Sequence, residues 1–454
     1  MTKNFIISTK VLYSIVFAAA MFFCSVSNAQ YESFVVRDKS ATSPVNTLVR
    51  YIDDTLAVGY FDDDVNGYFV LVNLNSATIT HKVKIQHQNM YVRDLRILGD
   101  TVYACGTHLV PNVWKGFIMK FNINLIRTGS GSKDNASYYD IDSTSELSRM
   151  VVFHNDLLNL NEVVAIGHKV EHVGNYNKKH GRIVDYKSSG SFNVGKDYSN
   201  ADTIEFIDDI VLTQNHIGFI GSLGSRKISL RKACRGCTDM FSSMIDTLCY
   251  YSISDNEPAS MIHATATRGD SIAAAAYAVT SSGAFVTRIR QYRLNNLDLF
   301  DAKEFSMTEK VEPCELAYNR LSMTYLMLEY LPYEGSLTHD EYQVVTQRVA
   351  GTNSVESYFV PGKIMSSIAS SPNDVSFMLA GGSTFAFKHY WGAPSRSCFD
   401  KASISYMPRI VGRERRGNFP IESSEIYISA QYVGLETSTL DSERMCRRNL
   451  FIKE

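Results

Sequence analysis

Four short stretches of this sequence carry residue types that could do chemistry, and each must be weighed against what its neighbours allow. His168-Lys-Val-Glu-His172 spells H-x-x-E-H, a string used by zinc peptidases. That chemistry requires a helix, because only there do positions i and i+4 converge on one ion. Here the string follows Val163-Val-Ala-Ile-Gly167, which reads as a strand. In an extended chain the two imidazoles sit about 13 Å apart, far too wide for a metal with ligand bonds of about 2 Å. His180 lies nearby, but the string reads as loop histidines and not as a metal site.

Asp62-Asp-Asp-Val-Asn66-Gly67 matches the first half of a calcium loop. The second half fails: Val70 stands at the ninth position and Asn73 at the twelfth, where a bidentate Glu belongs. Asn66-Gly67 between apolar runs is also a type I′ hairpin signal, so a turn without metal is expected. Cys234-Arg-Gly-Cys237 lacks the helix N-terminus that activates a redox pair and the four ligands that close a zinc site. It is expected to be a structural disulfide, although a local bridge to Cys249 also fits the spacing. Thr128-Gly-Ser-Gly-Ser-Lys133 has the flavour of a phosphate loop without its spacing, and reads as a linker. There is no Gly-x-Ser-x-Gly elbow and no tight carboxylate pair. No catalytic residue, metal or cofactor is therefore assigned.

The elements that must position any site repeat along the chain. One module recurs: an apolar run, a polar turn, a second apolar run ending in small residues, a variable loop, and a third strand-like run. Its clearest copy is Val92-Arg-Asp-Leu-Arg-Ile-Leu98, Gly99-Asp100, Thr101-Val-Tyr-Ala-Cys-Gly106, then Gly116 to Ile123. The ends of the second runs fall at Gly59, Gly106, Gly167, Gly221, Ala276, Leu328 and Gly381, with spacings of 47, 61, 54, 55, 52 and 53 residues. Short runs rich in Val, Ile, Phe and Tyr, split by Gly, Asp and Asn turns, are strands and hairpins. Such spacings suit a four-stranded antiparallel sheet per repeat. The fold class expected is all-β: a single β-propeller of seven four-stranded blades.

Repeats of the type Leu95-x-Ile97-x-Gly99-Asp100-Thr101-Val102-Tyr103-x-Cys105-Gly106 resemble those of uncharacterised secreted bacterial β-propeller proteins. The resemblance covers about residues 40–392. It implies a fold and an exported location, and no activity.

The N-terminus supports export. Lys3 and Lys10 precede an apolar stretch from Val11 to Phe23, and Ser27-Asn28-Ala29 supplies the small residues for cleavage near Ala29. Thirteen apolar residues are short for a membrane span of about 20. Domains are accordingly read as a signal peptide at 1–29, a propeller at 30–392, and a C-terminal region at 393–454 that could complete the ring. Either Glu425 to Tyr432 or Phe34 to Val36 could supply a closing strand. The mature chain is expected to be secreted, periplasmic or on the cell surface, without a transmembrane segment. Forty-five basic residues against 47 acidic ones leave no global field for nucleic acid.

A ligand is expected on the face carrying the second-to-third-strand loops, the most variable segments. These run from Phe61 to Asn66, Thr107 to Lys115, Lys169 to His180, Thr280 to Ser282 and Leu331 to Asp340, and present Asp62, Asp64, Trp114, His172, Tyr176, Tyr333 and His339. Aromatic and hydrogen-bonding groups together suit a protein or carbohydrate ligand. The alternative function is a polysaccharide hydrolase or lyase working in the central channel. Acidic and basic side chains converging on the axis would favour the enzyme; small apolar or hydroxyl groups there would favour binding.

Overall fold

A computed structural model describes the strands and tight turns between residues 34 and 390, together with 424–428. Residues 1–33, 39–47, 391–423, 429–454 and several inter-strand loops lie outside the described residues. The signal stretch, Cys249, Cys398, Cys446 and the arginines at 409–416 are among them.

Strands β2–β25 form six consecutive four-stranded antiparallel sheets in meander order, and β26–β28 form a seventh of three strands. The first strand of each sheet packs beside the first strand of the next: β2 (Leu48–Tyr51), β6 (Met90–Leu98), β10 (Ser145–Asn155), β14 (Glu205–Leu212), β18 (Ser260–Ala266), β22 (Glu312–Asn319) and β26 (Ser367–Ser370). Strand β26 returns to β2, so the inner strands close a circle. This is a β-propeller. Among the described residues no helix is long and apolar enough to cross a membrane.

The second to fifth sheets are covered on both faces, which is why their central strands read as continuous apolar runs rather than alternating ones. The cores lie between neighbouring sheets. Tyr60 and Phe69 of the first sheet meet Val92, Phe117 and Phe121 of the second, with Phe69 edge-on to Phe121 at 4.7 Å between ring centres. Tyr103, Cys105 and Ile118 of the second meet Leu147, Val163 and Tyr186 of the third. The same sharing recurs between the third and fourth sheets, the fourth and fifth, and the fifth and sixth. A fully buried aromatic of this kind contributes about 1.5–3 kcal/mol.

Strand β1 (Phe34–Asp38) pairs antiparallel with β29 (Ser424–Ile428), and the two form their own sheet. They pair with each other rather than with an inner strand, lying beside β28 (Ala386–Tyr390) while β1 also approaches β5 (Thr78–Ile85). The pair thereby spans the junction between the last and first sheets.

Inner strands of the second to sixth sheets each carry a β-bulge near the end of the second run. In the second sheet Val92 pairs with Gly106 and Asp94 with Cys105, leaving Arg93 as the extra residue. In the third, Leu147 pairs with Gly167 and Arg149 with Ile166. The sixth sheet corrects the sequence alignment by one place: Pro313 pairs with Glu329 and Glu315 with Leu328, so Glu329 and not Leu328 is equivalent to Gly106. Without a small residue as a marker, the repeat end had no anchor there.

Candidate functional site

The register that aligns the repeats also selects one residue per inner strand, the one immediately after the bulge or its equivalent. These are Arg50, Asp94, Arg149, Asp209, His263, Glu315 and Ser367. In ring order they alternate base and acid until Ser367, where an odd number of sheets forces a break.

The bonding follows that order. Arg50 Nη2 lies 2.6 Å from Asp94 Oδ1 and 3.5 Å from Glu315 Oε1, while its Nη1 donates to Ser367 Oγ at 2.7 Å. One guanidinium thus touches the second, sixth and seventh sheets from the first. Arg149 Nη1 reaches Glu315 Oε1 at 2.9 Å, joining the third sheet to the sixth across the middle of the ring. Each carboxylate also accepts the backbone N–H that follows the ring position of the next sheet: Met150 to Asp94 at 3.0 Å, Ala264 to Asp209 at 2.8 Å, Ile368 to Glu315 at 2.6 Å. Arg96 adds a further contact to Asp94 at 3.1 Å.

Electrostatics separate the three acids. Burial alone would raise Asp94, but Arg96, Arg50, Arg149 and the Met150 N–H outweigh it and hold the carboxyl below its usual range. Glu315 is likewise lowered, as Arg149, Arg50 and the Ile368 N–H overcome burial. Asp209 goes the other way. Burial pushes it up to about 6, and the more distant Arg149 and the N–H groups of Ala264 and Ile210 only partly compensate. The Cys105 thiol opposite Asp94 is pushed well up by burial, so it is an inert core group.

Charged side chains do converge on the axis, which was expected to mark an enzyme. The arrangement shows why that criterion does not discriminate: opposite charges placed around a closed ring satisfy one another and fill its centre. Asp94 is fully buried and both oxygens of Glu315 are engaged. A hydrolytic pair needs two carboxyls facing a substrate with room between them.

The expected rim residues are placed unevenly. Trp114 lies on β8 (Val113–Asn122), not in a loop, and stays 41% exposed while its ring sits 5.5 Å from Tyr91. Val113 beside it is also exposed. His172 lies on β11 (Leu160–Val173) and Tyr176 on β12 (Tyr176–Lys187), again on paired strands: His172 faces Asn177, and Val173 faces Tyr176. The segments expected as loops at 107–115 and 169–180 are hairpin extensions. Backbone pairing carries β11 and β12 past the apolar core, adding about 16 Å of ribbon from His168 to Val173. Asp62 ends β3 (Leu56–Asp62) opposite Gly67, which begins β4 (Gly67–Asn73). Gly67 is therefore not a turn residue; a side chain there would strike Tyr60, its Cβ landing 2.6 Å from the phenol oxygen. Asp64, Tyr333 and His339 lie outside the described residues.

The H-x-x-E-H string is extended as expected, and His168 Nε2 sits 3.2 Å from Glu146 Oε2. Among the described residues no group of three metal-ligating side chains comes together. Cys234 and Cys237 form a disulfide with Cα atoms 5.8 Å apart. Its loop clasps the third sheet, where Asn155 Nδ2 donates to the Cys237 carbonyl at 3.2 Å and Lys187 Nζ to that of Thr238 at 2.8 Å.

The ring itself was missed by sequence reasoning. Its signal was present as a polar residue at a fixed offset inside each first run, such as Asp94 in Val92-Arg-Asp-Leu, but no local rule singles that position out.

No family model and no curated protein matches the chain. Solved structures similar to it include the β-propeller domain of Cps50 (Swd1) from Myceliophteria thermophila, at 11% identity and TM-score 0.46, covering 75% of this chain and 93% of that one. A Dos1 propeller is similar at 7% identity and TM-score 0.41, covering 77% and 92%. Raptor from Chaetomium thermophilum is similar at 10% identity and TM-score 0.45 over 84% of this chain, which spans 32% of Raptor's length. None of these likenesses carries a function to this chain.

Proposed function

We propose that this chain is an exported, non-enzymatic β-propeller that binds a protein or carbohydrate ligand through the rim formed by its second-to-third-strand hairpins. The observation that carries the reading is Trp114. An indole left 41% exposed against Tyr91, next to an exposed Val113, offers flat apolar area at a hairpin tip. The start of the sequence and the Cys234–Cys237 bridge support an oxidising, extracytoplasmic location.

Glycan and peptide arrays on the purified protein test the reading. Trp114→Ala should weaken the ligand found by at least tenfold, about 1.4 kcal/mol, and leave the melting temperature unchanged. A ligand that binds the variant as tightly as the wild type would remove the rim from the account.

One observation favours the second reading, a polysaccharide hydrolase or lyase. Asp209 is raised to about 6 while Glu315 and Asp94 are lowered, the divergence expected of a general acid and an ionised partner. Burial counts against it. Turnover of a polysaccharide, abolished by Asp209→Asn, would replace the binding reading.

A further inference from the structure

The three acids of the axial ring are not equivalent, and the difference is geometric before it is electrostatic. Asp94 has two guanidinium groups within 3.1 Å, and Glu315 has two within 3.5 Å. Asp209 has none within 4 Å among the described residues; its nearest ionisable partner is the His263 imidazole, with Nδ1 3.9 Å from Oδ2. Its two hydrogen bonds come from backbone N–H groups, Ile210 on its own strand and Ala264 on the next. The charged groups acting on it are Arg149 from β10, His263 from β18 and Glu315 from β22, with the bulge residue Asp208 beside it on β14 and apolar Ile220 opposite on β15 (His216–Leu223). Where the second and sixth sheets hold a carboxylate with arginine, the fourth holds one with a histidine. This step of the ring therefore has a protonation state that can change while its neighbours stay fixed.

We propose that the Asp209–His263 step is a proton-operated latch between the fourth and fifth sheets, which takes up one proton in mildly acidic medium and holds that seam more firmly there than at neutral pH. This goes beyond the binding reading and does not depend on it. The balance is simple: one proton enters from solvent, the uncompensated carboxylate charge is neutralised, and no bond between heavy atoms is made or broken.

The sign follows from linkage. Asp209 in the folded chain binds its proton up to about pH 6, whereas an unfolded Asp releases it near 3.8. Between those values the folded state holds more protons, so stability rises as pH falls through the window. It reaches its full benefit only below the unfolded value. Asp94 and Glu315, both lowered, act oppositely: their contribution is complete above the ordinary carboxylate range and is lost only in stronger acid.

Melting temperatures of the purified protein from pH 7.5 to pH 5 test the latch, with Asp209→Asn as the comparison and His263→Gln to locate the proton. The wild type should gain about 1–2 °C relative to Asp209→Asn across that interval. His263→Gln should keep most of the gain, because the carboxyl retains its burial. A gap between wild type and Asp209→Asn that does not change with pH would overturn the proposal. Should the Asp209→Asn chain not fold, carbon NMR of aspartate-labelled wild type decides: an Asp209 carboxyl titrating between pH 5 and 7 supports the latch, and one titrating below pH 4.5 overturns it.

Discussion

Arg50→Met should destabilise the protein by about 3–5 kcal/mol, measured as a fall in the denaturation midpoint. The reason lies in what one side chain holds. Arg50 is buried on the first inner strand, yet its guanidinium reaches Asp94 on the second sheet, Glu315 on the sixth and Ser367 on the seventh. Among the described ring residues Glu315 alone touches as many sheets, through Arg50, Arg149 and the Ile368 N–H. The junction it covers is also where the seventh sheet meets the first, and among the described residues that seventh sheet has three strands where the others have four. Methionine keeps most of the apolar stem and removes the charge, leaving a fully buried carboxylate at Asp94 with Arg96 and two backbone N–H groups as its remaining partners.

Two further measurements separate this cause from simple loss of packing. Asp94 is held below its usual range in the folded chain, so its benefit exists above about pH 3.8 and fades as pH drops through the folded value. The penalty for losing Arg50 should therefore be largest near neutrality and shrink in acid. Adding Asp94→Asn to Arg50→Met should recover part of the loss, because the orphaned charge is then gone. A penalty indifferent to both treatments would mean that Arg50 acts through its methylene stem alone.

The sheets were legible because covering them on both faces demands apolar runs, and turns such as Gly99-Asp100 demand glycine and aspartate. Runs like Val163-Val-Ala-Ile therefore fell where the strands are. The hairpin tips were harder. At 169–180 the residues are polar and read as a loop, whereas hydrogen bonding between two backbones continues wherever a tight connection permits it. The two residues between Val173 and Tyr176 are Gly174-Asn175, a pair whose types suit such a connection and are its one local signal. The axial ring was illegible for a different reason. Arg50 and Ser367 are 317 positions apart, and nothing local relates them; only closing the circle places them 2.7 Å apart. Charge alternation from sheet to sheet has meaning only once those sheets are neighbours.

Gly167→Ala should cost more than any substitution at the axis, about 5 kcal/mol, and should leave little soluble protein. Backbone conformation is not the cause, for Gly167 is not among the glycines with positive φ. Space is. The bulge in β10 swings the Glu146 carbonyl across the strand pair, so that a Cβ on Gly167 would lie 1.8 Å from that oxygen and 2.8 Å from its carbon. Gly106 stands in the same relation to the Tyr91 carbonyl at 1.9 Å. Both obstacles are backbone atoms, unable to turn aside as a side chain does, and retreat would undo the bulge that aims Arg149 or Asp94 at the ring. In the second and third sheets the repeat ends in glycine because the paired strand bulges there, at the residue that precedes the ring position; the sixth sheet bulges opposite Glu329 without one. Gly99→Ala supplies the contrast. Gly99 does have a positive φ of 57°, but nothing lies within 4 Å of its missing side chain, so only the conformational cost of about 1 kcal/mol applies. Denaturation midpoints of the two alanine variants should rank accordingly, with Gly167→Ala far below Gly99→Ala. Equal midpoints would show that the strand pair can straighten, and that the ring does not depend on its bulges.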